Sequence, residues 1–127
     1  MAKRKAVPYP FILEALAPLE PEVRPMFGGY SVYVGDRVMF MLRDRPTETR
    51  DNGLWVIFAD ERDASEQATA LRWEFPSLRK IELLEGKIRH WMVLPADAPD
   101  FESSAMHACE LVRRRDARMG RVPKSRR

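Results

Sequence analysis

Two runs of β-favouring residues joined by a glycine turn constrain this chain more than any other feature. Tyr30 to Val34 alternates in the manner of a strand, with Tyr30, Val32 and Val34 on one face. Gly35-Asp36 follows, and then the apolar run Val38 to Leu42. Glycine supplies the positive φ that a tight primed turn requires, so the two runs predict a β-hairpin. Hairpin-linked strands favour an antiparallel sheet with helices packed against it.

The rest of the chain can be read against that hairpin. Tyr9 to Ala17 predicts a short helix, with Ile12, Ala15, Leu16 and Leu19 at helical spacing and prolines bounding it on both sides. Pro18, Pro21 and Pro25 force an extended link before the hairpin. Arg43 to Gly53 is polar and reads as a long exposed loop. Leu54 to Ala59 is continuously apolar and predicts a central strand buried on both faces. Asp63 and Glu66 resemble a capping box that opens a helix running to about Arg72. Leu78 to Leu84 and Ile88 to Leu94 predict a second hairpin across Glu85-Gly86. Asp100 is the expected N-cap of a last helix with Phe101, Ala105, Ala108, Cys109 and Val112 on one face, and Gly120 its expected stop. The predicted class is α+β: an antiparallel sheet of two hairpins plus a central strand, order α-β-β-β-α-β-β-α, with helices packed on it.

Charge divides the 127 residues unevenly. Residues 1–5 carry three positive charges, and residues 113–127 carry eight against Asp116 alone. Removing these +3 and +7 ends from the net charge of +3 leaves −7 for residues 6–112. The expected organisation is one domain over residues 6–118 with basic, mobile tails at 1–5 and 119–127. Arg113, Arg114, Arg115, Arg118, Arg121, Lys124, Arg126 and Arg127 are the candidate nucleic-acid-binding residues. Such a block is also explained as a solvated tail, or as one lying on the protein's own acidic body. The longest apolar run has five or six residues against the roughly 20 that a membrane helix needs, so no membrane association is expected. The N-terminus shows no secretory signal, and the single cysteine, Cys109, cannot form an internal disulfide. A cytoplasmic protein is expected.

No catalytic constellation emerges from the residue types. His107 and Glu110 stand one turn apart, but no further ligands at metal-binding spacing accompany them. Gly28-Gly29 fits neither nucleotide-binding glycine pattern and reads as backbone freedom ahead of the sheet. No catalytic residue, metal or cofactor is assigned.

The run Arg24-Pro25-Met26-Phe27-Gly28-Gly29-Tyr30-Ser31-Val32-Tyr33-Val34-Gly35-Asp36, followed by Met39-Phe40, resembles the N-terminal domain of TfoX-like proteins. His90-Trp91-Met92-Val93-Leu94-Pro95, leading into an acidic helix start, is similar to that family's closing strand and last helix. The resemblance spans about residues 10–115 and implies the α+β arrangement shared with YjbR-like domains. Two departures limit it. Ile57 stands where the family's strand after the hairpin carries a lysine, and 127 residues leave no room for the second, helical domain of full-length TfoX regulators. The competence-regulator role is therefore not expected to transfer, and the family implies no catalytic residues.

Two functional readings follow. One is a non-enzymatic regulatory or interaction domain with an unidentified protein partner, extended by weak, salt-dependent nucleic-acid association through the basic tail. The other is a small-molecule-binding domain or small enzyme whose pocket is lined by Phe27, Tyr30, Tyr33, Trp55, His90 and Trp91, with His90, Arg89 or Arg24 as polar groups.

Overall fold

The computed structural model describes residues 7–26, 28–59, 74–85 and 90–123. Among these, a six-stranded sheet carries two helices, an α+β fold as expected. The elements are α1 (Pro10–Leu16), β1 (Glu22–Met26), β2 (Gly29–Val34), β3 (Arg37–Arg43), β4 (Gly53–Ile57), β5 (Arg79–Lys80), β6 (Trp91–Pro95) and α2 (Phe101–Arg113). Every neighbouring pair of strands is antiparallel, in the order β1-β2-β3-β4-β6-β5. The expected helix over Asp63 to Arg72 lies outside the described residues.

The first hairpin forms as its residues dictate. Val34 pairs with Arg37 across Gly35-Asp36, and Gly35 takes a φ of +62°. Side-chain alternation along β2 and β3 then sorts the core. Val32, Phe40 and Leu42 pack with Ile12 and Leu16 of α1 and with Ala105, Ala108 and Val112 of α2. Met41, Trp55 and Val93 point to the opposite face, where Ile81 packs against them. β4 is buried along its whole length between β3 and β6, as expected for a central strand.

Three expectations need correction. The proline-rich link is not merely extended: Glu22–Met26 pairs with β2 as an edge strand, with Pro25 opposite Tyr30. An edge tolerates proline because a missing N–H there costs no ladder bond on the open side. The second hairpin is also shorter than predicted. Only Arg79–Lys80 pairs with β6, and the chain leaves the sheet at Ile81 for a 3₁₀ turn over Glu82–Leu84. The Asp51 carboxylate captures that turn by accepting the N–H groups of Glu82 (3.1 Å) and Leu83 (2.7 Å), which a continued strand would have aimed elsewhere.

The C-terminal segment also departs from the expected mobile tail. The β3–β4 ladder stops at Phe40–Val56, and residues 118–121 enter the fork beyond it. Val38 and Arg121 exchange backbone hydrogen bonds on one side of the fork, at 2.9 and 3.0 Å. On the other, Gly120 N–H donates to the Ile57 carbonyl (2.8 Å) and Ala59 N–H to that of Arg118 (2.9 Å). Met119 is buried. Residues 119–121 are thus a structural plug and not part of a mobile tail; residues 1–5 and 124–127 lie outside the described residues. Gly120 does not stop α2, which ends at Arg113. It lets the plug approach β3, since a Cβ there would sit 2.2 Å from the Met39 sulfur.

Among the described residues no helix is long and apolar enough to cross a membrane.

Candidate functional site

The basic residues of the C-terminal region occupy distinct environments. Arg113 and Arg114 are exposed at the end of α2 and share one carboxylate, Glu110, at 3.7 and 3.0 Å. Arg118 is held by Asp116 (2.8 Å) and reaches Glu74 (3.5 Å). The hydrogen bonds from Arg118 pull the Asp116 carboxyl below its ordinary pKa. Arg121 lies against the Ala59 carbonyl. Lys124, Arg126 and Arg127 lie outside the described residues.

Arg115 stands apart. α2 ends with Arg115 N–H bonded to the Val112 carbonyl and Asp116 N–H to that of Leu111, both at 3.0 Å. This double closure needs a left-handed residue at the position Arg115 occupies, and its φ is +59°. Glycine is the usual occupant because a Cβ is strained there. The chain places a cation instead, and a cation near a helix C-terminus also complements the macrodipole.

That end of the molecule gathers a residue which sequence reasoning missed. Arg37, at the tip of the first hairpin, lines the same groove of about 660 Å³ as Arg115. Val34, Met39, Val112 and Met119 form its apolar walls, and Glu20, Asp36 and Asp116 add negative charge, the last of them paired with Arg118. Among the described residues neither Arg37 nor Arg115 has an ion-pair partner. A signal was available: the hairpin prediction puts Arg37 at an exposed turn, but nothing local says that the turn meets the end of α2.

The aromatic set divides. Tyr30 lines a groove at the β1–β2 turn, whereas Tyr33 and Trp55 pack into the opposite face of the sheet. Alternation along β2 imposes this split, because residues 30 and 33 fall on opposite sides. Trp55 and Trp91 do meet, with ring centroids 6.0 Å apart, and His90 stands edge-on to Trp91 at 5.9 Å. Trp55 is buried and donates its indole N–H to the Asp51 carbonyl, so its ring belongs to the core. Phe27 and Arg89 lie outside the described residues. Arg24 lies over the Tyr33 ring at 5.1 Å and pairs with Glu22.

The loop read as exposed contains a buried polar knot. Asp51 is fully buried and accepts from Arg79 (3.0 Å) as well as from the two backbone groups of the 3₁₀ turn. Arg43 is buried as well and donates to the Glu48 carbonyl at 2.9 Å; burial lowers its pKa. The Asp51 carboxylate and Arg43 Nη2 hold the loop, while Arg43 Nε is buried without a partner among the described residues. Cys109 is buried between α1 and α2, and burial pushes its thiol up to about 12, which keeps it protonated and unreactive at neutral pH. His107 pairs with Glu74 at 3.0 Å and not with Glu110. Among the described residues no three His, Cys, Asp or Glu side chains cluster to hold a metal.

No family model matches the chain, and neither curated proteins nor solved structures give a significant match.

Proposed function

We propose that this chain is a non-catalytic interaction domain that associates weakly with polyanions, nucleic-acid backbone above all, through its basic end. The observation that carries the reading is the convergence of Arg37 and Arg115 on one groove, both without ion-pair partners among the described residues. Arg113 and Arg114 extend positive charge along the exposed end of α2, where a single carboxylate serves both. The resemblance of the Arg24–Asp36 segment to TfoX N-terminal domains supports an interaction role over a catalytic one. Glu20, Asp36 and Asp116 in the groove limit the affinity, and a backbone-only contact of this kind has a Kd in the range of about 10⁻⁴–10⁻⁶ M. A small-molecule pocket built from the aromatic set has less support, because Tyr30 is separated by the sheet from Tyr33 and Trp55.

Fluorescence anisotropy with a random-sequence duplex tests the proposal. Two phosphate contacts give a roughly tenfold loss of affinity between about 50 and 200 mM salt, and further contacts steepen it. Neutralising Arg37, Arg114 and Arg115 together is expected to weaken binding about tenfold or more at the lower salt. Binding by that variant equal to the parent would overturn the proposal. Deleting residues 113–127 is not a usable test, since the plug at 118–121 goes with them.

A further inference from the structure

We propose that the groove beside Gly28 and Gly29 binds a small monocarboxylate with an apolar body. The groove measures about 710 Å³, within the roughly 300–1,000 Å³ usual for small-ligand sites. Val7, Pro8, Met26 and Leu42 give it apolar walls, and Tyr30 and Arg45 give it polar groups. It lies away from the basic end and shares no residue with it.

Arg45 makes this groove selective. Its main chain is fixed from both sides by one side chain: Asn52 accepts from Arg45 N–H (3.0 Å) and donates to the Arg45 carbonyl (2.9 Å). The guanidinium then lies directly over Gly28, where a Cβ would come within 2.1 Å of its Nη1. Gly28 has a φ of +76°, so its backbone disfavours any residue with a Cβ, and a Cβ there would also push the exposed Arg45 guanidinium aside. At Gly29 the exclusion is steric, because a Cβ there would sit 2.5 Å from the Leu42 carbonyl oxygen. The paired glycines therefore do more than bend the chain. They let Arg45, anchored through its main chain, lay its guanidinium at the mouth of an apolar groove, where among the described residues it has no acceptor.

A planar guanidinium matches a carboxylate with two parallel hydrogen bonds. One cation suits a single negative charge, and Asp44 on the same groove disfavours a phosphate dianion. The apolar walls then select a hydrocarbon or aromatic body over a sugar.

The full chain is titrated by isothermal calorimetry and ligand-observed NMR with benzoate and hexanoate, against benzyl alcohol, 1-hexanol and inorganic phosphate. Saturable binding of a carboxylate with a Kd below about 1 mM is expected, with the neutral and phosphate probes at least tenfold weaker. Arg45→Gln keeps the backbone anchors to Asn52 and is expected to lose carboxylate affinity tenfold or more. Arg50→Gln, on the same loop but outside the groove, is expected to bind like the parent. Gly28→Ala displaces the guanidinium and is expected to weaken binding; should it fail to fold, the Arg45→Gln comparison decides alone. No saturable binding up to about 10 mM, equal binding by the alcohols or phosphate, or parental binding by Arg45→Gln overturns the assignment. None of these outcomes bears on the polyanion reading, whose arginines lie elsewhere.

Discussion

Arg121 and Val38 exchange both of their backbone hydrogen bonds, at 2.9 and 3.0 Å, and so tie the basic C-terminal segment into the sheet. With Gly120 bonded to Ile57 and Ala59 to Arg118, four backbone hydrogen bonds and the buried Met119 depend on residues 118–121. At about 1 kcal/mol per bond and about 2 kcal/mol for the methionine, removing this segment costs roughly 4–6 kcal/mol. That is comparable to the whole stability of a small domain. Truncation after residue 117 is expected to yield a largely unfolded or aggregating protein by circular dichroism and thermal melting. A truncated chain that melts like the parent would show that the fork between β3 and β4 closes without its plug.

Arg115 offers a cleaner handle on the same end. Its φ of +59° is strained for a residue with a Cβ, and glycine relieves the strain while keeping both helix-closing hydrogen bonds. Arg115→Gly is therefore expected to raise stability by about 0.5–1 kcal/mol in urea unfolding, even though it removes a charge that favours the helix C-terminus. The same variant is expected to weaken polyanion binding. Stability and binding moving in opposite directions separates a functional arginine from a structural one, and movement of both downwards would argue that the side chain is held by the fold.

How much of this was legible in the sequence depends on the range of the interactions involved. The hairpin at Gly35-Asp36, the buried β4 and the apolar face of α2 follow from local periodicity and turn chemistry, and all three form. What escaped is non-local. Asp51 sits in a polar stretch that looks exposed, and only the approach of residues 79–83 turns it into a fully buried acceptor. Asp100 occupies the predicted N-cap position, yet its carboxylate takes the hydroxyls of Ser77 (2.5 Å) and Ser104 (2.8 Å) rather than a helix N–H. At the candidate site, Arg113 to Arg121 stand out as a run of cations, whereas the meeting of Arg37 with Arg115 depends on tertiary packing.

Asp51 is the polar group whose loss is expected to cost most. Replacing it with alanine strands the N–H groups of Glu82 and Leu83 and leaves Arg79 without its carboxylate. Arg79 is 33% exposed and keeps other acceptors, so the cost comes mainly from the two stranded N–H groups, at about 1–3 kcal/mol each, roughly 3–5 kcal/mol in all. Asp51→Asn keeps an acceptor oxygen and is expected to lose less, about 2–3 kcal/mol. Chemical denaturation of both variants checks the ranking. Equal, small losses would mean that solvent reaches this knot and replaces the carboxylate.

Asp116 and Asp100 set the response to acid. Hydrogen bonds from Arg118 lower the Asp116 carboxyl, and those from Ser77 and Ser104 lower Asp100, each below the ordinary value near 4. A carboxyl whose folded pKa lies below its unfolded one stabilises the fold above the unfolded value. That contribution is lost as pH falls through the folded value. Stability is therefore expected to be flat from about pH 7 to 5 as far as these two groups are concerned, and to fall below about pH 4. Asp116→Asn is expected to cost about 1–2 kcal/mol at neutral pH, by weakening the bonds that Arg118 makes, and to converge on the parent near pH 2. The two residues flank opposite ends of α2 and share no partner, so the effects of Asp116→Asn and Asp100→Asn are expected to add when the two are combined. Urea unfolding at pH 7, 4 and 3 tests this: a constant gap between parent and Asp116→Asn across that range would show that the carboxylate's charge is not what holds Arg118 in place.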